Sequence, residues 1–331
     1  MLAILDPTPP RRIVPFFRFE EAFALTYAGA VFFAFKLRGF HFSLALVGRE
    51  YGKFLVAMLA VAIPFWLAAR GLEARHGRVA WRGAKDDLLG LVRAFLPLLI
   101  VLIAYTHLKS RIAAFHPRLF DEELALLDAA LHYGGGDFLG FLLGFTHDPT
   151  WSARWSAVYF FAWVALALPF GVAFARGGAL AARRLTVALV LVYAAGSLVY
   201  LALPALGPAF AFRPRFAHLA GTTGFYIQES MLAAFLRLVR HPDSATVPFF
   251  GIAAFPSLHL ATTALGLFAA GRWAKPLLLL LVPVNLAVVW SALYFGWHYA
   301  IDFYPAILLA WGGWWAAGKL LAPEPTRTML V

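Results

Sequence analysis

The chain has 331 residues, 62% of them hydrophobic and 14% charged, whereas a soluble globular chain carries about 45–50% apolar and about 25% charged residues. That composition excludes an ordinary soluble domain and points to a membrane protein, and the absence of cysteine excludes a disulfide framework, a thiolate nucleophile and a cysteine metal site. The net charge of +11 lies mostly between apolar runs, where it reads as membrane topology and contact with anionic lipid, not as a nucleic-acid partner.

The opening segment "MLAILDPTPPRRIVPFFRFEE" lacks the positive, apolar, small-residue order of a cleaved signal peptide and is expected to be retained. Apolar runs follow at 22–37, 54–70, 88–108, 152–175, 185–206, 257–271, 276–298 and 300–318. A bilayer core of ~30 Å takes ~20 helical residues at ~1.5 Å each. These runs predict an all-α, polytopic transmembrane helix bundle with about eight membrane segments. Residues 1–87 would hold two accessory apolar helices, residues 88–318 a six-helix catalytic core, and residues 319–331 a tail.

Eight crossings divide the charge unevenly. Counting flanking residues and Arg93, the side with the amino terminus, 71–87, 176–184, 272–275 and the carboxyl terminus carries 16 basic and 7 acidic residues, net +9; the other carries 12 and 10, net +2. The basic excess marks the cytoplasm, which predicts an inner-membrane protein with both termini cytoplasmic. The connections 109–151 and 207–256 then face outward. Within the first, "FDEELALLDAALHYGGGDFLGFLLGF" reads as an interfacial helix followed by a re-entrant piece. Within the second, "MLAAFLRLVR" has an apolar face opposite Arg237 and Arg240 and reads as a helix lying on the membrane surface.

Three ionisable residues stand at the outer ends of the last runs. His298 and Asp302 are four apart and would share one face of a helix. A carboxylate there can accept the Nδ1 proton of the imidazole, fix its tautomer and leave Nε2 as nucleophile or base. The plainer alternative is an interfacial histidine beside a capping aspartate. His259 follows Ser257 in "FPSLH", where Ser257 can cap a helix whose first-turn N–H groups bind phosphate oxygens; the alternative is an ordinary cap beside a bystander histidine. The topology places all three groups at one depth, ionisable groups are costly there, and their coincidence favours a site. A histidine nucleophile, a carboxylate partner and a second histidine as acid suit phosphoryl transfer through a phosphohistidine, with no metal or other cofactor required. The competing reading is a metal site of two histidines and one carboxylate.

At this point the residues resemble a known family. "FPSLH" and "SALYFGWHYAID" look like the second and third motifs of the type-2 phosphatidic acid phosphatase superfamily, whose common forms are P-S-G-H and S-R-x5-H-x3-D. Pro256, Ser257 and His259 match the second; Ser291, His298 and Asp302 match the third. Leu258 replaces the glycine, Ala292 replaces the arginine, and the first motif K-x6-R-P survives only as Arg213–Pro214, with Leu206 at the lysine position. P-S-L-H and the lost arginine resemble the inositol-phosphorylceramide-synthase branch, which moves phospho-headgroups between lipids. The resemblance implies that His298 is the nucleophile, that Asp302 orients it, and that His259 protonates the leaving group and then deprotonates the acceptor. Arg213 or Arg215 would supply lost positive charge, with Lys109 and Arg111 as weaker candidates. It implies a membrane-embedded phosphotransferase, or alternatively a lipid phosphate phosphatase acting on phosphatidate-like or polyprenyl phosphates, with a lipid phosphoester as partner molecule. The rival from another class is a lipid-binding or transport protein without catalysis. Nothing in the sequence fixes the oligomeric state.

Overall fold

The computed structural model describes residues 18–77, 84–132, 149–165, 167–245 and 251–321, and among them the secondary structure is entirely helical. In chain order the α-helices are α1 (Phe19–Leu37), α2 (Leu44–Arg75), α3 (Ala84–Ser110), the short α4 (Ile112–Phe115), α5 (Asp121–His132), α6 (Pro149–Ala165), α7 (Ala167–Ala202), the short α8 (Pro208–Ala211), α9 (Thr223–Arg240), α10 (Leu258–Trp273), α11 (Leu278–Tyr294) and α12 (Phe303–Leu320). Helix α7 is the central element and packs against α2, α3, α10 and α12. Its segment Leu185–Val190, with Val192 and Tyr193, is sequestered on all sides. Helix α11 is peripheral. It exposes Leu279, Leu280, Val282 and Leu286, an outer face that lipid tails can cover without stranding a polar group.

The expectation of about eight membrane segments is not met. Four helical stretches among the described residues are long and apolar enough to cross a bilayer: Tyr51–Leu72, Leu88–Ser110, Ala167–Ala202 and Lys275–Tyr294. The reasons are local. Helix α1 carries Glu20, Glu21 and Lys36 within 19 residues. Helix α6 has 17 residues and α10 has 16, short of the ~20 that a hydrocarbon core demands. Helix α12 dilutes its apolar residues with Trp311, Gly312, Gly313, Trp314, Trp315 and Lys319.

The expected connection at 176–184 is present as a sharp break and not as a loop of that length: two helices meet within Ala167–Ala202 at Gly178, where φ is +68° and ψ is -161°. The arginines that suggest a loop are paired. Arg183 donates to buried Glu20 of α1 at 2.6 and 3.1 Å, and Arg176 donates to the carbonyl of Trp273 at 2.8 Å. Arg93 of α3 likewise holds Glu21 at 2.6 Å. These pairs fasten α1 to α3 and α7 and let charge lie inside a packed bundle.

Helices do form in both of the segments read as interfacial. Helix α9 buries Phe235 and Leu238 while Arg237 and Arg240 remain exposed. Helix α5 covers 121–132, and the re-entrant piece expected after it falls on residues 133–148, outside the described residues.

Candidate active site

Two helix ends build the site. Ser257 is the N-cap of α10: its Oγ accepts from the N–H of Leu260 at 3.4 Å, and its own N–H donates to the backbone carbonyl of Asp302 at 3.2 Å. This places His259 in the first turn of α10 and ties that turn to the segment entering α12.

The other end belongs to α11. It stops at Tyr294 because Gly296 adopts φ +63°. The N–H of Gly296 then donates to Leu293 at 3.0 Å and that of Trp297 to Ala292 at 2.9 Å, the bond pair of a Schellman C-cap. A side chain at Gly296 would also collide with Phe216, 2.3 Å from the position of a Cβ. The turn delivers His298, and a 3₁₀ turn over Ala300–Asp302 leads into α12. His298 and Asp302 therefore do not share one face of an α-helix, as their spacing suggests. They meet across this turn, with His298 Nδ1 3.1 Å from Asp302 Oδ2. The same oxygen accepts the N–H of Tyr299 at 3.0 Å. Both side chains are buried, Asp302 completely.

His259 approaches from α10 and is half-buried. Its Nδ1 lies 3.1 Å from the hydroxyl of Tyr159 on α6, and the two rings stack with centroids 4.4 Å apart. The Tyr159 ring lies parallel to that of Trp297 at 5.9 Å. Tyr159 thus spans the two halves of the site. The structure brings His259, His298 and Asp302 together.

Electrostatics follow from burial. Asp302 is pushed up to about 6, chiefly by burial and against the opposing pull of its hydrogen bond with His298. His259 is held well below the usual histidine range, first by burial, then by the charges of His298 and Lys109. With nothing bound, His259 is neutral at physiological pH.

Several contributing residues carry no motif signal. Asp121 accepts the N–H groups of Leu206 (2.9 Å) and Gly207 (2.8 Å) and the hydroxyl of Tyr299 (2.9 Å). Asp128, two turns along α5, accepts the N–H of Ile301 at 2.7 Å and lies 3.1 Å from His132 Nδ1. Burial pushes both carboxyls above the usual range. Helix α5 therefore braces the His298–Asp302 turn from behind. The readable signal was a seven-residue spacing of acids on a helix with apolar faces, which puts them on one side.

The expected cations lie in different places. Arg213 is exposed and pairs with Glu229 at 2.6 Å. Arg215 is exposed on the same 3₁₀ segment, Arg213–Leu219. Arg111 is buried and donates to the carbonyls of Pro242 (2.8 Å) and Ser244 (2.6 Å), which pins the end of α3 to the segment after α9. Lys109, at the end of α3, sits over the rings of Tyr105 and Tyr200 at 5.8 and 5.5 Å. The substituted motif positions are accommodated by packing. Ala292 is 1% exposed. Leu258 fills the space opposite Gly196, where a Cβ would come within 2.6 Å of it. Among the described residues no group of three or more His, Cys, Asp or Glu side chains is disposed to hold a metal ion.

A family profile described as the PAP2 superfamily matches residues 122–316, more than half of the chain. The chain belongs to the PAP2 superfamily. No curated protein matches it, and no solved structure does. The matched segment includes Ser257, His259, His298 and Asp302 and leaves out α1–α3. Together with the apolar helices, the match makes the protein a membrane-embedded PAP2-superfamily enzyme acting on lipid phosphoesters. Nothing in the match singles out the inositol-phosphorylceramide branch.

Proposed function

We propose that this PAP2-superfamily protein is a lipid phosphate phosphatase that hydrolyses a phosphatidate-like or polyprenyl phosphomonoester through a phosphohistidine at His298. The observation that carries the reading is the buried His298–Asp302 pair, 3.1 Å apart, beside the capped first turn of α10. Asp302 fixes the proton on Nδ1, so Nε2 of His298 presents its lone pair. Nε2 attacks phosphorus, the bond from phosphorus to the lipid oxygen breaks, and His259 gives its proton to that oxygen. In the second half, water attacks phosphorus, His259 takes its proton, the P–N bond breaks and inorganic phosphate leaves. The hydroxyl of Tyr159 at Nδ1 assigns the proton duty of His259 to Nε2. The first-turn N–H groups of α10, ordered by the Ser257 cap, receive non-bridging phosphate oxygens. Arg213 and Arg215 form an exposed basic rim toward lipid headgroups. Residues 88–318 are the catalytic unit and 1–87 are accessory. The charge distribution places the site on the non-cytoplasmic side.

Transfer to a lipid hydroxyl shares the first half-reaction. Leu258 and Ala292 are what favours it, while the superfamily match backs hydrolysis. The deciding experiment reconstitutes the purified chain in liposomes containing phosphatidate, with and without a lipid-alcohol acceptor and with and without a chelator. Hydrolysis predicts phosphate release that is indifferent to chelator and lost in His298→Ala. Phosphate moved to the added alcohol without release would make the protein a transferase. Full release by His298→Ala would overturn the assignment of the nucleophile.

A further inference from the structure

We propose that Lys109 is the phosphate-binding cation of this site, standing in for the motif lysine and arginine that the chain replaces with Leu206 and Ala292. The inference rests on the reading of His298 and His259 as the phosphoryl-transfer pair. Lys109 lies outside the segment that matches the superfamily, so no motif points to it; it enters the site from the end of α3.

Three observations converge on it. The first is position. The Lys109 ammonium sits over Tyr200, whose hydroxyl donates to the carbonyl of Pro256 at 3.0 Å, one residue before the Ser257 cap. The incoming segment passes directly against the lysine stem: a Cβ at Gly251 would lie 3.2 Å from Lys109 Cγ. Lys109 is thus built into the approach to His259.

The second observation is its company. Lys109 is half-buried and makes no ion pair with a carboxylate among the described residues; its contacts are the faces of Tyr105 and Tyr200. Ring faces return only part of what an ammonium loses on leaving water. A phosphate would supply the missing counter-charge. Of the other cations considered for this duty, Arg213 is engaged with Glu229 and Arg111 with two carbonyls, and Arg215 is exposed. Asp302, the carboxylate of the proposed site, is committed to His298 and the N–H of Tyr299.

The third observation is the coupling to His259. The Lys109 charge is one of the causes that keep His259 from protonating. An incoming phosphate dianion cancels that charge and adds its own attraction for a proton. Substrate binding at Lys109 thereby turns His259 from a neutral bystander into a competent acid.

The test uses the purified full chain in detergent, with inorganic phosphate as the probe and its inhibition constant as the readout, beside kcat and KM for a short-chain phosphatidate. Lys109→Met is expected to raise the inhibition constant for phosphate at least tenfold and KM in step. Lys109→Arg should restore most of the loss, and Arg213→Ala should raise the constant less than Lys109→Met does. A second measurement needs no variant: amine-directed labelling of the wild-type protein, read by peptide mass spectrometry, should be slower at Lys109 when phosphate is present. An inhibition constant within twofold of wild type in a folded Lys109→Met variant, or labelling that phosphate does not slow, overturns the proposal. Phosphate protection of Lys109 is also measured in His298→Ala. Protection there, combined with retained turnover, would sink the nucleophile and spare the lysine. Absent protection, with turnover lost, would sink the lysine alone.

Discussion

Replacing Asp302 by asparagine probes the site with the least change of shape. Asp302 Oδ2 accepts two N–H groups, from His298 Nδ1 at 3.1 Å and from Tyr299 at 3.0 Å. An asparagine can set its one oxygen in the place of Oδ2 and keep both bonds, with its NH2 in the place of Oδ1, but it carries no charge. The support that the carboxylate gives to the positive imidazole formed as Nε2 attacks is then lost. Removing a stabilising charge of this kind lowers kcat by on the order of 10²–10³. The pH profile gives an independent signature. Asp302 is pushed up to about 6, and the reaction needs its carboxylate. Wild-type kcat should therefore fall about tenfold per pH unit below that value, a limb that Asp302→Asn must lack. Stability has the opposite sign. The carboxyl is raised in the folded state, so its contribution to stability is complete below the ordinary carboxylate range and is lost as pH rises to about 6. The melting temperature of wild type relative to the variant should decline over that interval and level off above it. The assay is phosphate release from pH 4.5 to 8, paired with intrinsic tryptophan fluorescence melts. Retention of more than a tenth of wild-type kcat, or an acid limb with the same midpoint in the variant, would refute the reasoning.

Tyr159→Phe keeps the ring stack on His259 and removes one hydrogen bond at 3.1 Å; at about 0.5–1.5 kcal/mol for such a bond, kcat should drop roughly 3- to 10-fold with KM little changed. Asp121→Asn leaves one acceptor oxygen for the three donors that Asp121 now serves; kcat should fall tenfold or more as the turn loosens, and hydrogen exchange at Leu206 and Gly207 should quicken. Gly296→Ala meets both a left-handed backbone and the Phe216 ring. The expected destabilisation is about 2–4 kcal/mol from the conformational and overpacking terms together, read as a lower melting temperature with parallel loss of activity.

The residues proposed to do the chemistry were legible because local rules fix them. Ser257 caps a helix, and the spacing of His298 and Asp302 survives the discovery that a glycine-terminated turn, not a helix, brings them together. The amphipathic helix α9 was legible from its own periodicity. What was not legible depends on distant partners. Arg176 and Arg183 look like residues of a wide polar loop until Trp273 and Glu20 are known to receive them, and the connection between the two helices narrows to the break at Gly178. The acids of α5 look solvent-facing until Leu206, Gly207 and Ile301 are seen to turn their N–H groups toward them. Tyr159 carries no sequence signal and Lys109 only a weak one, since their meaning lies in rings and histidines 91 to 138 positions away.

The central claim is that His298 itself carries the phosphoryl group. Its most direct test is to mix the purified enzyme with phosphatidate bearing radioactive phosphorus, quench within milliseconds in alkali, where a P–N bond survives, and map the label by peptide. Label on the peptide containing His298, absent from His298→Ala and discharged as inorganic phosphate on standing in neutral buffer, is the predicted result. Steady phosphate release with no label, or with label on another residue, would contradict it.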